Sequence, residues 1–264
     1  MIKRAFYKPK NKLISTQNEP DLVGQDTARY PDMYETYLAF QETYHIGFNN
    51  FILTNGCENA LRIALIALRI KNLIIENPTW AMAEIIADSL DISYKKINYI
   101  YNNKFELEPY SATNDWLYTT DSYNNLFRHD NYNTSIFSNV ILDETYTLQN
   151  LLNPDRQLTN NLIIIGSFSK FAGCGLRIGY VLFNESMEER FHILRESYLS
   201  SAACNFIQKR QKISPNLNMY NEIYPIVTKH SCYTTYAENP GYQYPHKEFK
   251  VNGRTFYRFG TVYK

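Results

Sequence analysis

Between Phe51 and Phe183 short β-rich runs alternate with helical patterns, and no other feature of the chain restricts its fold as much. Seven runs read as strands: Phe51 to Leu53, Leu73 to Glu76, Ile92 to Ile97, Trp116 to Thr119, Val140 to Leu142, Leu162 to Ile165 and Ile178 to Phe183. Strands that alternate with helices build a mostly parallel sheet, because a parallel connection must cross over and a helix is the usual crossover. Glu58 to Ile70 is apolar around most of its circumference, with Arg62 and Arg69 interrupting one stripe, and predicts a buried helix. Ala81 to Leu90 predicts a second. Glu185 to Leu199 predicts a third, with Glu185, Glu188, Glu189, Arg190 and Arg195 on a solvated face. The expected class is α/β, a mostly parallel seven-stranded sheet flanked by helices.

A chain of 264 residues is long enough for one such domain and a small appendage. The pattern divides it into an N-terminal segment (1–35), a large domain (36–199) and a reduced C-terminal domain (200–264). In the last part only Glu222 to Lys229 and Thr255 to Val262 look ordered by pattern.

Lysine and arginine (27) balance aspartate and glutamate (26), so no net field recruits nucleic acid or an anionic membrane, and the expected partner is a small molecule. The basic residues Lys3, Arg4, Lys8, Lys10 and Lys12 are followed by no apolar run, and no window has the roughly 20 apolar residues of a membrane span. A soluble, cytoplasmic protein is expected. Cys57, Cys174, Cys204 and Cys232 form no CxxC pair and have no histidines at zinc-ligand spacing, so they read as reduced thiols and no metal is expected.

The chemistry is concentrated where strands end. After the strand Leu162 to Ile165 comes Ser167-Phe168-Ser169-Lys170-Phe171-Ala172-Gly173-Cys174-Gly175-Leu176-Arg177-Ile178-Gly179-Tyr180. A lysine just past a strand end lies where open α/β sheets bind ligands, and a primary amine in a cleft suits Schiff-base chemistry. Gly173 and Gly175 permit close backbone approach, and Arg177 offers a planar fork to a phosphate. A lone SxSK would more often be a surface lysine beside a glycine turn.

The whole string resembles the cofactor-lysine signature of class I/II, fold-type I aminotransferases, which bind pyridoxal 5′-phosphate (PLP), and it is closest to the histidinol-phosphate aminotransferase group. The resemblance implies the PLP-dependent transferase fold, PLP carried on Lys170 as a Schiff base, and Ser167 and Arg177 as phosphate ligands. Asp143-Glu144-Thr145-Tyr146 is similar to the family's D-E-A-Y element, which implies Asp143 on the pyridine nitrogen and Tyr146 on the ring's phenolic oxygen. Thr54-Asn55-Gly56-Cys57-Glu58-Asn59-Ala60-Leu61 resembles the phosphate cup, with contacts from Gly56, Cys57 and Glu58 at a helix N-terminus. By itself that string is also an ordinary capped helix start. Asn77-Pro78-Thr79-Trp80 resembles the segment whose aromatic ring stacks on the cofactor, although Trp80 could equally fill core space.

Asn124 falls on the asparagine of the family's N-P-x-N-P-[TS]-G element, with the prolines and glycine missing. Asn18-Glu19-Pro20 and Arg29-Tyr30-Pro31-Asp32 resemble N-terminal elements of the histidinol-phosphate group, in which Tyr30 would reach the partner subunit's phosphate and imply a homodimer. Phe256-Tyr257-Arg258-Phe259-Gly260-Thr261 resembles the closing strand whose arginine binds the substrate carboxylate, which makes Arg258 the candidate and Arg254 a weaker one. Lys170 to Arg177 spans seven positions, one fewer than the family pattern, and little room separates Asn124 from Asp143.

The function implied is amino transfer between an amino acid and a 2-oxo acid. Two alternatives share the motifs: a decarboxylase or lyase of the same fold, and a catalytically weak PLP-binding protein.

Overall fold

The computed structural model describes residues 31–77, 79–101, 105–108, 110, 114–120, 137–195, 198–213, 236–238, 247–251 and 254–258. Its centre is an eight-stranded sheet made of β1 (Phe51–Thr54), β2 (Asn72–Asn77), β3 (Ser93–Tyr101), β4 (Phe105–Leu107), β5 (Trp116–Thr120), β6 (Asn139–Asp143), β7 (Leu162–Ser167) and β8 (Gly179–Leu182). The order across the sheet is β1-β8-β7-β6-β5-β2-β3-β4. All seven expected strands are present. The eighth, β4, pairs antiparallel with an extended β3, and at three residues it is too short for periodicity to reveal.

β2, β3, β5, β6 and β7 run parallel, while β8 lies antiparallel between β7 and β1. β1 therefore points the same way as β7. One edge of the sheet gathers the ends of β1, β2, β6 and β7 and the loop that enters β8, and this is the edge where open α/β sheets bind ligands.

Helices α2 (Cys57–Ala67) and α3 (Met82–Ser89) are the first two expected ones, and both contribute to the core on one face. Ala60, Leu61, Ala64 and Leu65 of α2 pack there with Ile75, Tyr118, Ile141 and Val181 of the sheet. The third expected helix is a correction. A 3-10 turn at Glu185–Met187 leads into a helix of only five residues, Glu188–His192 (α5). Phe191 stacks on Phe183 with ring centroids 4.3 Å apart, and the chain then tightens as the Leu194 N–H donates to the Phe191 carbonyl at 3.0 Å. Arg195 consequently leaves the helical period and is 5% exposed, not solvated as the pattern implies.

The other face is covered by two helices that periodicity does not reveal, α1 (Met33–Tyr44) and α6 (Ser201–Gln208). Both carry caps. Asp32 Oδ1 accepts from the Glu35 N–H at 3.0 Å, and Ser200 Oγ from the Ala203 N–H at 3.1 Å. The buried face of α1 is aromatic: Tyr37 stacks on Phe51 at 5.1 Å and Phe40 tilts against it at 5.0 Å. Full burial of rings such as Phe40 and Phe51 contributes about 1.5–3 kcal/mol each. Gln208 ties the two helices together by donating to Thr36 Oγ1 at 2.9 Å.

β9 (Tyr236–Glu238), β10 (Lys247–Val251) and β11 (Arg254–Arg258) form a separate three-stranded antiparallel sheet in the order β10-β11-β9. β11 overlaps the patterned stretch Thr255 to Val262, whereas Glu222 to Lys229 lies outside the described residues. Among the described residues no helix is long and apolar enough to cross a membrane. Cys57, Cys174 and Cys204 are free thiols.

Candidate functional site

β7 ends at Ser167, whose Oγ accepts from the Ser169 N–H at 3.1 Å and opens the 3-10 turn Phe168–Lys170. Phe168 anchors that turn: its side chain is 1% exposed in the core, and its N–H donates to the Ile178 carbonyl at 2.9 Å. With Phe168 locked inward, Lys170 faces a cleft of about 180 Å³, and its Nζ sits 5.0 Å from the centre of the Tyr146 ring. The cleft is lined by Cys57, Glu58, Trp80, Asp143, Thr145, Tyr146, Ser167, Ser169, Lys170 and Arg177.

Asp143 is the last residue of β6 and is 3% exposed. Its Oδ1 accepts from the Thr145 N–H at 3.0 Å and its Oδ2 from the Tyr118 hydroxyl at 2.9 Å. Burial raises the Asp143 pKa, and hydrogen bonds from Thr145, Tyr118 and Cys57 oppose that rise. Glu144 beside it is fully buried and has a different task. It accepts from the Tyr180 hydroxyl at 2.7 Å, the Asn150 and Leu151 N–H groups at 2.6 and 2.9 Å, and the Asn150 amide at 2.9 Å. It thereby caps the short helix α4 (Gln149–Leu152) and fixes the turn that presents Tyr146.

The cleft's other wall is the start of α2. Gly56 precedes it with φ +89° and has no side chain to cap it, and the first-turn N–H groups of such a helix start suit an anion. A Cβ at Gly56 would lie 2.8 Å from Arg177 Nη2, and one at Gly179 would lie 2.5 Å from the Gly56 carbonyl carbon. Those two glycines let the loop after β1, the start of β8 and the Arg177 guanidinium occupy one small volume. Arg177 itself adopts a left-handed conformation at φ +52°.

The structure therefore brings Cys57, Glu58, Trp80, Asp143, Tyr146, Ser167, Lys170 and Arg177 to one cleft, with Gly56 at its helix-start wall. Trp80 both lines the cleft and packs against the core. Tyr30 and Asn124 lie outside the described residues, and Arg258 and Arg254 are described only as backbone of β11. Thr145 and Ser169 also line the cleft without having been singled out, and their signal was their place inside the two motif strings. Tyr118 carried no local signal, because a tyrosine in an apolar strand looks like core.

No protein-family model matches the chain, and no curated protein matches it. Solved structures do. L-threonine-O-3-phosphate decarboxylase from Porphyromonas gingivalis superposes with a TM-score of 0.58 at 19% identity, covering 76% of this chain and 66% of that one. Histidinol-phosphate aminotransferase from Sinorhizobium meliloti, solved with pyridoxal-5′-phosphate, gives 0.60 at 16% identity, covering 80% and 65%. Aspartate aminotransferase from Thermotoga maritima gives 0.60 at 16%, covering 85% and 70%. The chain thus spans slightly under two thirds of the length of the first two. It has the fold of the fold-type I, PLP-dependent aminotransferases.

Proposed function

We propose that this chain is a PLP-dependent aminotransferase that moves an amino group between an amino acid and a 2-oxo acid, with Lys170 carrying the cofactor as a Schiff base. The observation that carries this reading is the convergence of a lysine amine, a buried carboxylate and an uncapped helix start on one cleft. Each suits one part of PLP: a primary amine for the aldehyde, a carboxylate for the ring nitrogen, and a helix start with an arginine for the phosphate.

When bound, PLP supplies an electron sink for the charge that develops at the substrate α-carbon. Asp143 holds the proton on the ring nitrogen, Trp80 restricts the ring's tilt, and Tyr146 holds the phenolic oxygen. Gly56, Cys57, Glu58, Ser167 and Arg177 hold the phosphate end. Lys170 would hold the aldehyde end and, as a free amine, would move the proton at the substrate α-carbon. Asn124 on the phenolic oxygen, Arg258 on the substrate carboxylate and Tyr30 on the phosphate of a partner subunit in a homodimer complete the reading.

A decarboxylase is the second reading, favoured by the likeness to the P. gingivalis enzyme. The PLP-loaded chain is offered a panel of amino acids without an acceptor, and 2-oxo acid and carbon dioxide are both measured. Amino transfer predicts stoichiometric 2-oxo acid. Release of carbon dioxide instead selects the second reading, and release of neither contradicts both.

A further inference from the structure

Tyr118 lies on β5, opposite Ile141 and beside the strand that ends in Asp143, with no exposed surface. Its ring packs in the apolar cluster with Ile75, Ile141 and the inner side of α2. A phenylalanine would fill that space, so the hydroxyl has one visible use: it donates to Asp143 Oδ2 at 2.9 Å while the Thr145 N–H occupies Oδ1. We propose that Tyr118 is a positioning residue which keeps the Asp143 carboxylate ionised and oriented toward the cleft. The contact stands by itself; its purpose rests on the PLP reading above.

A carboxylate removed from water drifts toward its neutral acid, and a neutral acid cannot hold a positive charge on a ring nitrogen. Donors aimed at the carboxylate reverse that drift. Tyr118 is suited to the task because burial, followed by the negative charge of Asp143, pushes its own pKa well above the ordinary phenol value, so it remains a donor. The Thr145 side chain, the Cys57 thiol from α2 and the Tyr180 phenol from β8 also act at Asp143, and the charges Lys170, Arg177 and Glu58 line the same cleft. Glu76 on β2 acts on Tyr118. Of these neighbours Tyr118 is the buried side chain on the strand adjacent to β6 that reaches the carboxylate directly.

The test uses the full chain carrying carboxyl-labelled aspartate, titrated by carbon NMR before PLP is added, with the Asp143 signal identified by its loss in Asp143→Asn. In Tyr118→Phe the Asp143 midpoint is expected to rise by about one to two pH units, the value of a hydrogen bond to a charged group. Replacement of Tyr118 by 3-fluorotyrosine, a more acidic phenol of nearly the same shape, is expected to lower it, and this arm carries the test should Tyr118→Phe not fold. With PLP added, Tyr118→Phe is expected to bind about tenfold or more weakly, and the ring-nitrogen NMR signal to move toward its unprotonated position. Midpoints that do not move in either variant overturn the proposal, as does an unchanged PLP affinity beside a shifted midpoint. If the midpoint moves but the unsubstituted chain binds no PLP, the Tyr118 contact stands and the cofactor reading falls.

Discussion

Gly56 does two things at once, holding φ at +89° and leaving room for the Arg177 guanidinium. An alanine there meets both objections, a backbone region that side chains rarely adopt and a 2.8 Å approach to Nη2. Gly56→Ala is expected to weaken PLP binding at least about tenfold, roughly the 1–3 kcal/mol of one strained residue. An absorbance titration measures it, and an affinity equal to the parent's contradicts the cup described here. Lys170, Asp143 and Arg177 could be found in the sequence because each stands in a string whose residue types have a joint chemical purpose. Tyr118 and the capping carboxylate Glu144 could not, since their roles depend on which strands are neighbours. Asn124, the site residue with the poorest motif context, lies outside the described residues.

Among elements, the turn from Glu144 to Thr147 and helix α4 depend on a buried carboxylate. Burial raises the Glu144 pKa, opposed by hydrogen bonds from Tyr180, Asn150 and Leu151. The folded state therefore keeps this proton to higher pH than the unfolded state, so its contribution is fully present below the ordinary 4.5 and is lost as pH rises through the raised value. Urea denaturation over that range should show the parent losing stability relative to Glu144→Gln as pH rises. A constant difference would mean that the group is not buried as described.

Arg156 is the second staple. It donates to the carbonyls of Tyr44, His45, Asn150 and Leu151, which joins the end of α1 to α4. Arg156→Ala is expected to cost about 2 kcal/mol, in the range of hydrogen bonds from a charged group, and denaturant midpoints would reveal it. The elements that the sequence disclosed were those with one dominant period. α1 escaped because its buried face is built from aromatics spread among polar residues, and the predicted helix from Glu185 was overextended because helical charge spacing continued past the point where Phe191 anchors the chain. Both starts are marked by caps, Asp32 accepting from the Glu35 N–H and Ser200 from the Ala203 N–H.

At the scale of the whole molecule, the antiparallel β8 inserted between β1 and β7 makes the site possible. It aligns the end of β1 with the ends of β6 and β7, so residues more than a hundred positions apart in the chain, such as Gly56 and Lys170, share one edge. The alternating pattern announced the sheet, but the strand order that creates the cleft is a property of packing and had no trace in any single segment. The central claim is that this edge holds PLP on Lys170, and borohydride reduction of the PLP-treated chain followed by peptide mass spectrometry tests it most directly. A phosphopyridoxyl group is expected on Lys170 and none in Lys170→Arg, whereas labelling of another lysine, or of none, would overturn the assignment.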